Sequence, residues 1–97
     1  MSKGRLPKLE TLPKVELHLH LDCSLSYDAV KQLDPDFTPD RYVREIMAPQ
    51  KVTDLADYLT RTRAGVAMLQ SERALRVAVH DLFRQLAQEN VIYVEIR

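Results

Sequence analysis

The chain has few of the residues that form disulfides or highly charged binding surfaces. It contains one cysteine, Cys23, which excludes an internal disulfide and favours a reducing compartment. Its 14 lysines and arginines are balanced by 14 aspartates and glutamates, so no surface for a nucleic-acid backbone is indicated. No apolar run approaches the roughly 18 residues of a membrane span, and the N-terminus lacks the apolar core of a signal peptide. We therefore expect a cytoplasmic protein with neither a nucleic-acid nor a membrane partner.

The pattern of apolar and capping residues predicts a strand, several helices and a second strand. After an extended segment over 1–13, alternation predicts a strand over 14–21, and a β-branched run predicts another over 91–96. Ser26 and Thr38-Pro39 open predicted helices over 27–33 and from 39 to about 47, and Asn90 suits the left-handed residue that ends a helix. The other expected features are a helix capped by Thr53 or Asp54 with Leu55, Tyr58 and Leu59 buried, an apolar patch over 66–69 after Gly65, and a helix over 72–89.

The helix over 72–89 shows the clearest apolar stripe in the chain. The stripe comprises Leu75, Ala78, Val79, Leu82, Phe83 and Leu86. His80 lies off the stripe and is expected at the surface. A strand, helices and strand in this order form an α/β unit with parallel pairing and helices outside. Two parallel strands make no useful sheet alone, so we expect 1–97 to be the N-terminal part of one larger domain. By itself, the chain should be neither a stable monomer nor active.

Four ionisable side chains share one face of the first predicted strand. They are Glu16, His18, His20 and Asp22, and they alternate with Val15, Leu17, Leu19 and Leu21. Residues two apart on a strand lie about 6.5–7 Å apart along its axis, so two imidazoles can lean toward one metal ion. A solvated strand face is the alternative interpretation. The unbroken alternation with valine and leucine favours a metal or catalytic role.

Residues 12–22, with the sequence Leu-Pro-Lys-Val-Glu-Leu-His-Leu-His-Leu-Asp, resemble the adenosine deaminase family of the amidohydrolase superfamily. Residues 55–59 are similar to the family's leucine-rich helix before the substrate pocket, and residues 91–97 to its second barrel strand. The resemblance covers about 10–97 and is most specific over 13–22. It implies the first βα units of a (β/α)₈ TIM barrel, with the site at the carboxyl ends of the strands and the leucines packed on outer helices.

The resemblance also implies a reaction and a role for three residues. In similar enzymes the two histidines of the first strand bind a catalytic zinc, so His18 and His20 would be metal ligands. His20 would also lie against the substrate, and Asp22 would contact the sugar of a purine nucleoside. The implied activity is hydrolytic deamination of adenosine, or of a related 6-aminopurine such as adenine; with adenosine, the products are inosine and ammonia. The family's remaining ligand, acid and base come from later strands, so no catalytic residue is expected within this chain.

Several residues keep more than one interpretation. Cys23 stands where the family usually has glycine; a small buried residue is favoured over a thiolate ligand. Glu16 is interpreted as steadying the barrel floor, and Glu95 with Arg97 as an inward ion pair rather than a lining of the mouth. A catalytically silent truncated fragment is an alternative function. A PHP-type metal phosphoesterase is another, since that group has two histidines two apart and a nearby serine such as Ser24, but the Asp-Gly that usually follows is missing.

Overall fold

A computed structural model describes residues 8–60 and 62–97 as two parallel strands joined by a helical crossover. The strands are β1 (Lys14–Leu19) and β2 (Val91–Ile96), and the helices are α1 (Tyr27–Leu33), α2 (Pro39–Glu45), α3 (Leu55–Thr60), α4 (Arg63–Met68) and α5 (Glu72–Gln88). Single 3-10 turns cover Leu9–Thr11 and Leu21–Cys23. Most of the extended segment predicted for 1–13, and the N-terminus searched for a signal peptide, lie outside the described residues.

Local capping signals confirm where the helices begin. Ser26, Thr38 and Ser71 each accept a hydrogen bond from the backbone N–H three residues further on, at 3.1, 3.2 and 3.0 Å. Asp54, rather than the threonine before it, accepts the equivalent bond at 2.8 Å ahead of α3. Asn90 has a φ of 58°, which confirms the left-handed residue after α5. These positions were predictable because a cap depends on residues only a few positions apart.

Parallel pairing brings the carboxyl ends of β1 and β2 to the same edge. Lys14 lies beside Val91, and Leu19 lies beside Ile96. The pairing continues past β2, since the Arg97 N–H donates to the Leu19 carbonyl at 2.8 Å. The predicted parallel α/β unit is therefore confirmed as a two-stranded sheet. A closed barrel is not seen within the described residues.

The first strand is shorter than predicted, and its apolar face is not covered. It ends at Leu19, and the chain then bends into the 3-10 turn Leu21–Cys23, which we call the Asp22 turn. Asp22 therefore does not continue the strand face of the histidines. Val15 and Leu17 are 56% and 60% exposed, because α5 packs on β2 and on the Asp22 turn. The expected packing of these residues on outer helices is wrong for the described residues.

The hydrophobic core lies beside the Asp22 turn rather than against the sheet. Its buried cluster is Leu25, Val30, Phe37 and Ala78. Only half of the predicted α5 stripe is buried: Ala78, Leu82 and Leu86 face the core, whereas Leu75, Val79 and Phe83 are exposed. Exposure of His80 is confirmed.

The buried face predicted for α3 needs correction. Leu55, Tyr58 and Leu59 are 71%, 40% and 51% exposed, so α3 has no buried face. The apolar pattern identified the face, but that face is exposed in the structure. The apolar patch expected over 66–69 lies in the second half of α4 and just beyond it, and Gly65 before it is buried inside the same helix.

The described fold exposes more surface than a closed domain of its size. Its accessible area is 7619 Å² at 11.2 kDa, whereas a folded monomer of that mass exposes about 5,700 Å². Its radius of gyration is 16.0 Å, against about 13 Å for a compact domain of this length. Within the described ranges, every helix is too short or too polar to cross a bilayer.

Because both strands present uncovered apolar side chains, a polypeptide of residues 1–97 should self-associate. We expect sedimentation velocity to show dimers or larger species at micromolar concentration. Replacing the exposed strand residues Leu17 and Ile92 with lysine should shift the population toward monomer. Leu9→Lys is the control, since Leu9 is 72% exposed but lies off the sheet. A monomer with a cooperative thermal transition would contradict this expectation.

Candidate active site

The candidate site lies at the carboxyl end of β1. His18 is on the strand, His20 follows its last residue, and Asp22 is in the middle of the Asp22 turn. The backbone N–H of Leu21 donates to the Arg97 carbonyl at 2.9 Å, so this end of β1 stays fixed to the chain leaving β2. This is the edge at which open parallel α/β sheets and barrels bind ligands.

The two histidine side chains converge as the strand spacing predicts. The Nε2 atoms of His18 and His20 are 3.0 Å apart, and their ring centroids are 4.9 Å apart. Two nitrogens at about 2.0–2.1 Å from a tetrahedral zinc ion lie about 3.3 Å apart, so a small opening of the pair would accommodate one ion. A hydrogen bond from one ring to the other fits the same distance. Half of His20's side-chain area is exposed, which leaves this point accessible.

Asp22 approaches the opposite side of the His20 ring. Its Oδ1 lies 3.8 Å from His20 Nδ1, too far for a hydrogen bond but close enough to favour one orientation of the imidazole. The carboxylate is therefore not directed at the point where the two Nε2 atoms converge. In the part of the chain that the structure describes, no three histidine, cysteine, aspartate or glutamate side chains form a metal-binding group. The described residues thus provide two convergent nitrogens and an adjacent carboxylate.

Cys23 is exposed, so its interpretation as a small buried residue is wrong. The 3-10 turn rotates this residue outward instead of into the core. Partial burial, the negative charge of Asp22 and a hydrogen bond to that carboxylate raise the pKa of the Cys23 thiol. A raised pKa disfavours the thiolate, which is the form that binds metal.

The charged residues Glu95, Arg97 and Glu16 had separate predicted roles outside the histidine pair. Glu95 accepts a hydrogen bond from the Tyr93 hydroxyl at 3.2 Å. It forms no ion pair with Arg97 among the described residues, so the expected pairing is wrong. Glu16 is partly buried, and its proposed role at a barrel floor stays a prediction.

Two residues that sequence reasoning missed hold the Asp22 turn in place. Gly65 approaches so closely that a Cβ atom built on it would lie 2.2 Å from the backbone oxygen of Asp22. Asp81 is 4% exposed, although aspartate is rarely buried, and it bonds to the loop that follows the turn. Because Asp81 lies between the stripe residues Ala78 and Leu82, the sequence could have indicated its burial. Nothing in the sequence indicated the Gly65 contact.

The crevice at the site is too small for a nucleoside. It measures about 50 Å³ and is lined by Asp22, Cys23, Ile46, Ala48, Tyr58, Thr62 and Gly65. Small-molecule pockets usually measure about 300–1,000 Å³. A groove of about 550 Å³ lies elsewhere, along Arg73, His80 and Arg84 of α5, and contains none of the candidate site residues. The described residues around Asp22 therefore enclose no pocket of nucleoside size.

Comparison with known proteins identifies the family. A model of the adenosine deaminase family matches residues 13–97. The chain is 41% identical over 96 residues to an adenosine deaminase of Enterococcus faecalis, covering 93% of this chain and 28% of that protein. It is 43% identical over 95 residues to one of Streptococcus agalactiae, covering 92% and 28%. No solved structure matches it.

These matches place the chain among the hydrolases, and within them in the adenosine deaminase family. The chain belongs to that family, because the family model covers most of its length. It spans about 28% of the length of the curated relatives it matches. The phosphoesterase alternative is not favoured by this match. Ser24, on which that alternative drew, donates its hydroxyl to the His20 carbonyl at 2.6 Å.

Gly65→Ala should destabilise the protein, although alanine is the better helix former. Helix propensity alone predicts a gain of about 1 kcal/mol, but the added Cβ would force α4 away from the Asp22 turn. We expect a net loss of about 1–3 kcal/mol in the free energy of unfolding of the full-length protein, measured in urea. Ala67→Gly, at an exposed position of the same helix, is the control and should cost about 1 kcal/mol. A more stable Gly65→Ala protein would rule out the close contact.

Proposed function

We propose that the full-length protein is a zinc-dependent deaminase that hydrolyses adenosine, or a related 6-aminopurine, releasing ammonia. The observation that carries the proposal is the 3.0 Å approach of the His18 and His20 Nε2 atoms at the carboxyl end of a parallel strand. Family membership and relatives named adenosine deaminase support the same reaction. With adenosine, the products are inosine and ammonia.

The proposal includes a (β/α)₈ barrel of which the described residues form the first part. The exposed apolar faces of β1, β2 and α5 support this, since they are the faces on which neighbouring strands and helices pack in such a barrel. Closure would also enlarge the 50 Å³ crevice into a pocket by adding walls from other strands. The single exposed cysteine agrees with a reducing, cytoplasmic location, which stays a prediction.

His18 and His20 would hold the zinc ion through their Nε2 atoms. A bound zinc lowers the pKa of water to about 7 and so supplies a nucleophile at neutral pH. The strand backbone fixes the two rings relative to each other, and Asp22 at 3.8 Å favours the orientation of His20. His20, half of whose side-chain area is exposed, would also lie against the substrate.

Asp22 would bind the sugar rather than the metal. Its carboxylate lies on the far side of the His20 ring from the point between the Nε2 atoms. We assign no catalytic acid or base within this chain, because protonation of a purine ring nitrogen needs a group that the described site does not contain. For the same reason, we propose that residues 1–97 alone are catalytically silent.

Removing either histidine should remove zinc from the full-length protein. We expect His18→Ala and His20→Ala each to lower the zinc content, measured by atomic emission, from about one ion to well below half an ion per chain, since each removes a ligand. Adenosine turnover should fall with it. His80→Ala is the matched control, because His80 is exposed on α5 away from the site. Wild-type zinc content in both strand variants would refute the metal assignment.

Replacing Asp22 should weaken binding of the nucleoside with little effect on the base. A hydrogen bond to a charged group contributes about 1.5–3 kcal/mol, so Asp22→Ala should raise the KM for adenosine by about 10- to 100-fold. The KM or inhibition constant of free adenine should change much less, and zinc content should be unchanged. Asp36→Ala, at an exposed carboxylate distant in sequence, should leave all three values unaltered. Equal weakening for nucleoside and base would exclude a sugar contact.

A further inference from the structure

The buried carboxylate of Asp81 connects α5 to the loop that leaves the candidate site. Only 3% of its side-chain area is exposed. It accepts hydrogen bonds from the Ser26 N–H at 3.1 Å and the Ser26 hydroxyl at 2.5 Å. Gln85 Nε2 donates to it at 2.8 Å, and Arg84 Nη2 at 3.0 Å. Every partner donates, so the site is built for an ionised carboxylate.

We propose that Asp81 is a positioning residue that fixes the segment carrying His20 and Asp22; this role rests on the proposed function. A second hydrogen bond of Gln85 carries the connection into the site, since its Nε2 also donates to the Ser24 carbonyl at 2.9 Å. Ser24 then donates its hydroxyl to the His20 carbonyl at 2.6 Å. The buried carboxylate is thus linked to the backbone of a proposed zinc ligand.

The orientation of this segment also depends on contacts that do not involve Asp81, including the close approach of Gly65 to the Asp22 backbone. Past β1, it pairs with the sheet through the bond between Leu21 and Arg97. The buried side chain of Leu25 and the hydrogen bond from the Tyr42 hydroxyl to the Leu25 carbonyl, at 2.6 Å, anchor its far end. These contacts should preserve the fold when Asp81 is altered, while the turn between the anchors loses its connection to α5.

The ionisation of Asp81 agrees with this role. Burial alone would raise the pKa of its carboxyl group, but the hydrogen bonds donated by Ser26, Gln85 and Arg84 outweigh burial and hold the pKa below its ordinary value. The group is therefore charged at neutral pH, where its hydrogen bonds are strongest.

The test uses the full-length, zinc-loaded protein and two substitutions. Asp81→Asn replaces one carboxylate oxygen with an amide NH₂ group, which cannot accept the hydrogen bonds donated by Ser26, Arg84 and Gln85. Gln85→Met removes the hydrogen bond to the Ser24 carbonyl while keeping a similar volume. Glu72→Gln is the control: Glu72 lies on the same helix and accepts hydrogen bonds from Arg76, but its side chain is 79% exposed. Hydrogen–deuterium exchange of the peptide covering 20–26 reports the segment directly. Zinc content, kcat and KM for adenosine are measured in parallel.

We expect exchange in 20–26 to become at least about tenfold faster in Asp81→Asn and Gln85→Met, with exchange elsewhere and zinc content retained. Since a displacement of about 1 Å can cost about 100-fold in rate, kcat/KM should fall by about 10- to 100-fold. Glu72→Gln should match the wild type. If the wild type does not deaminate adenosine, the proposed function fails, but the exchange data still decide whether Asp81 fixes the segment. Unchanged exchange over 20–26 in Gln85→Met would overturn the proposal, even if Asp81→Asn unfolds.

Discussion

Parallel pairing of β1 with β2 is the constraint on which the rest of this structure depends. Parallel strands cannot be joined by a tight turn, so the intervening chain must cross over, and in the described residues it does so through five helices. The same pairing places the carboxyl ends of both strands at one edge, where Arg97 fixes the backbone on either side of His20. Any chemistry of the two histidines therefore takes place at an edge defined by residues from both ends of the chain.

Burial differs between two parts of the molecule. Beside the Asp22 turn, Val30 is fully buried, and Asp81 has donors for both carboxylate oxygens. Along the sheet and on one side of α5, by contrast, side chains such as Leu17 and Phe83 remain exposed. The support of the candidate site is thus built from nearby helices, whereas the apolar side chains of the sheet are not covered within the described residues.

The histidines and the turn that follows them are positioned in different ways. The extended backbone of β1 and the hydrogen bonds of Arg97 to Leu19 and Leu21 place His18 and His20 on one side of the chain. The turn that follows is placed by tertiary contacts, with hydrogen bonds from α5 on one side and the steric limit set by Gly65 on the other. A change in the backbone of β1 would therefore alter the distance between the two Nε2 atoms. A change in the contacts of the Asp22 turn would alter the position of Asp22 relative to these atoms.

The sequence predicts the helix caps, the bounds of β2 and the convergence of the histidines, because each depends on residues at most a few positions apart. It predicted the apolar faces of α3 and β1 but not their exposure, since burial requires a partner element that the pattern does not name. Three other features could not be predicted in this way: β1 ends before Asp22, Cys23 turns outward and Asp81 is buried. These features depend on contacts between residues far apart in the chain, and alternation and capping carry no information about such contacts.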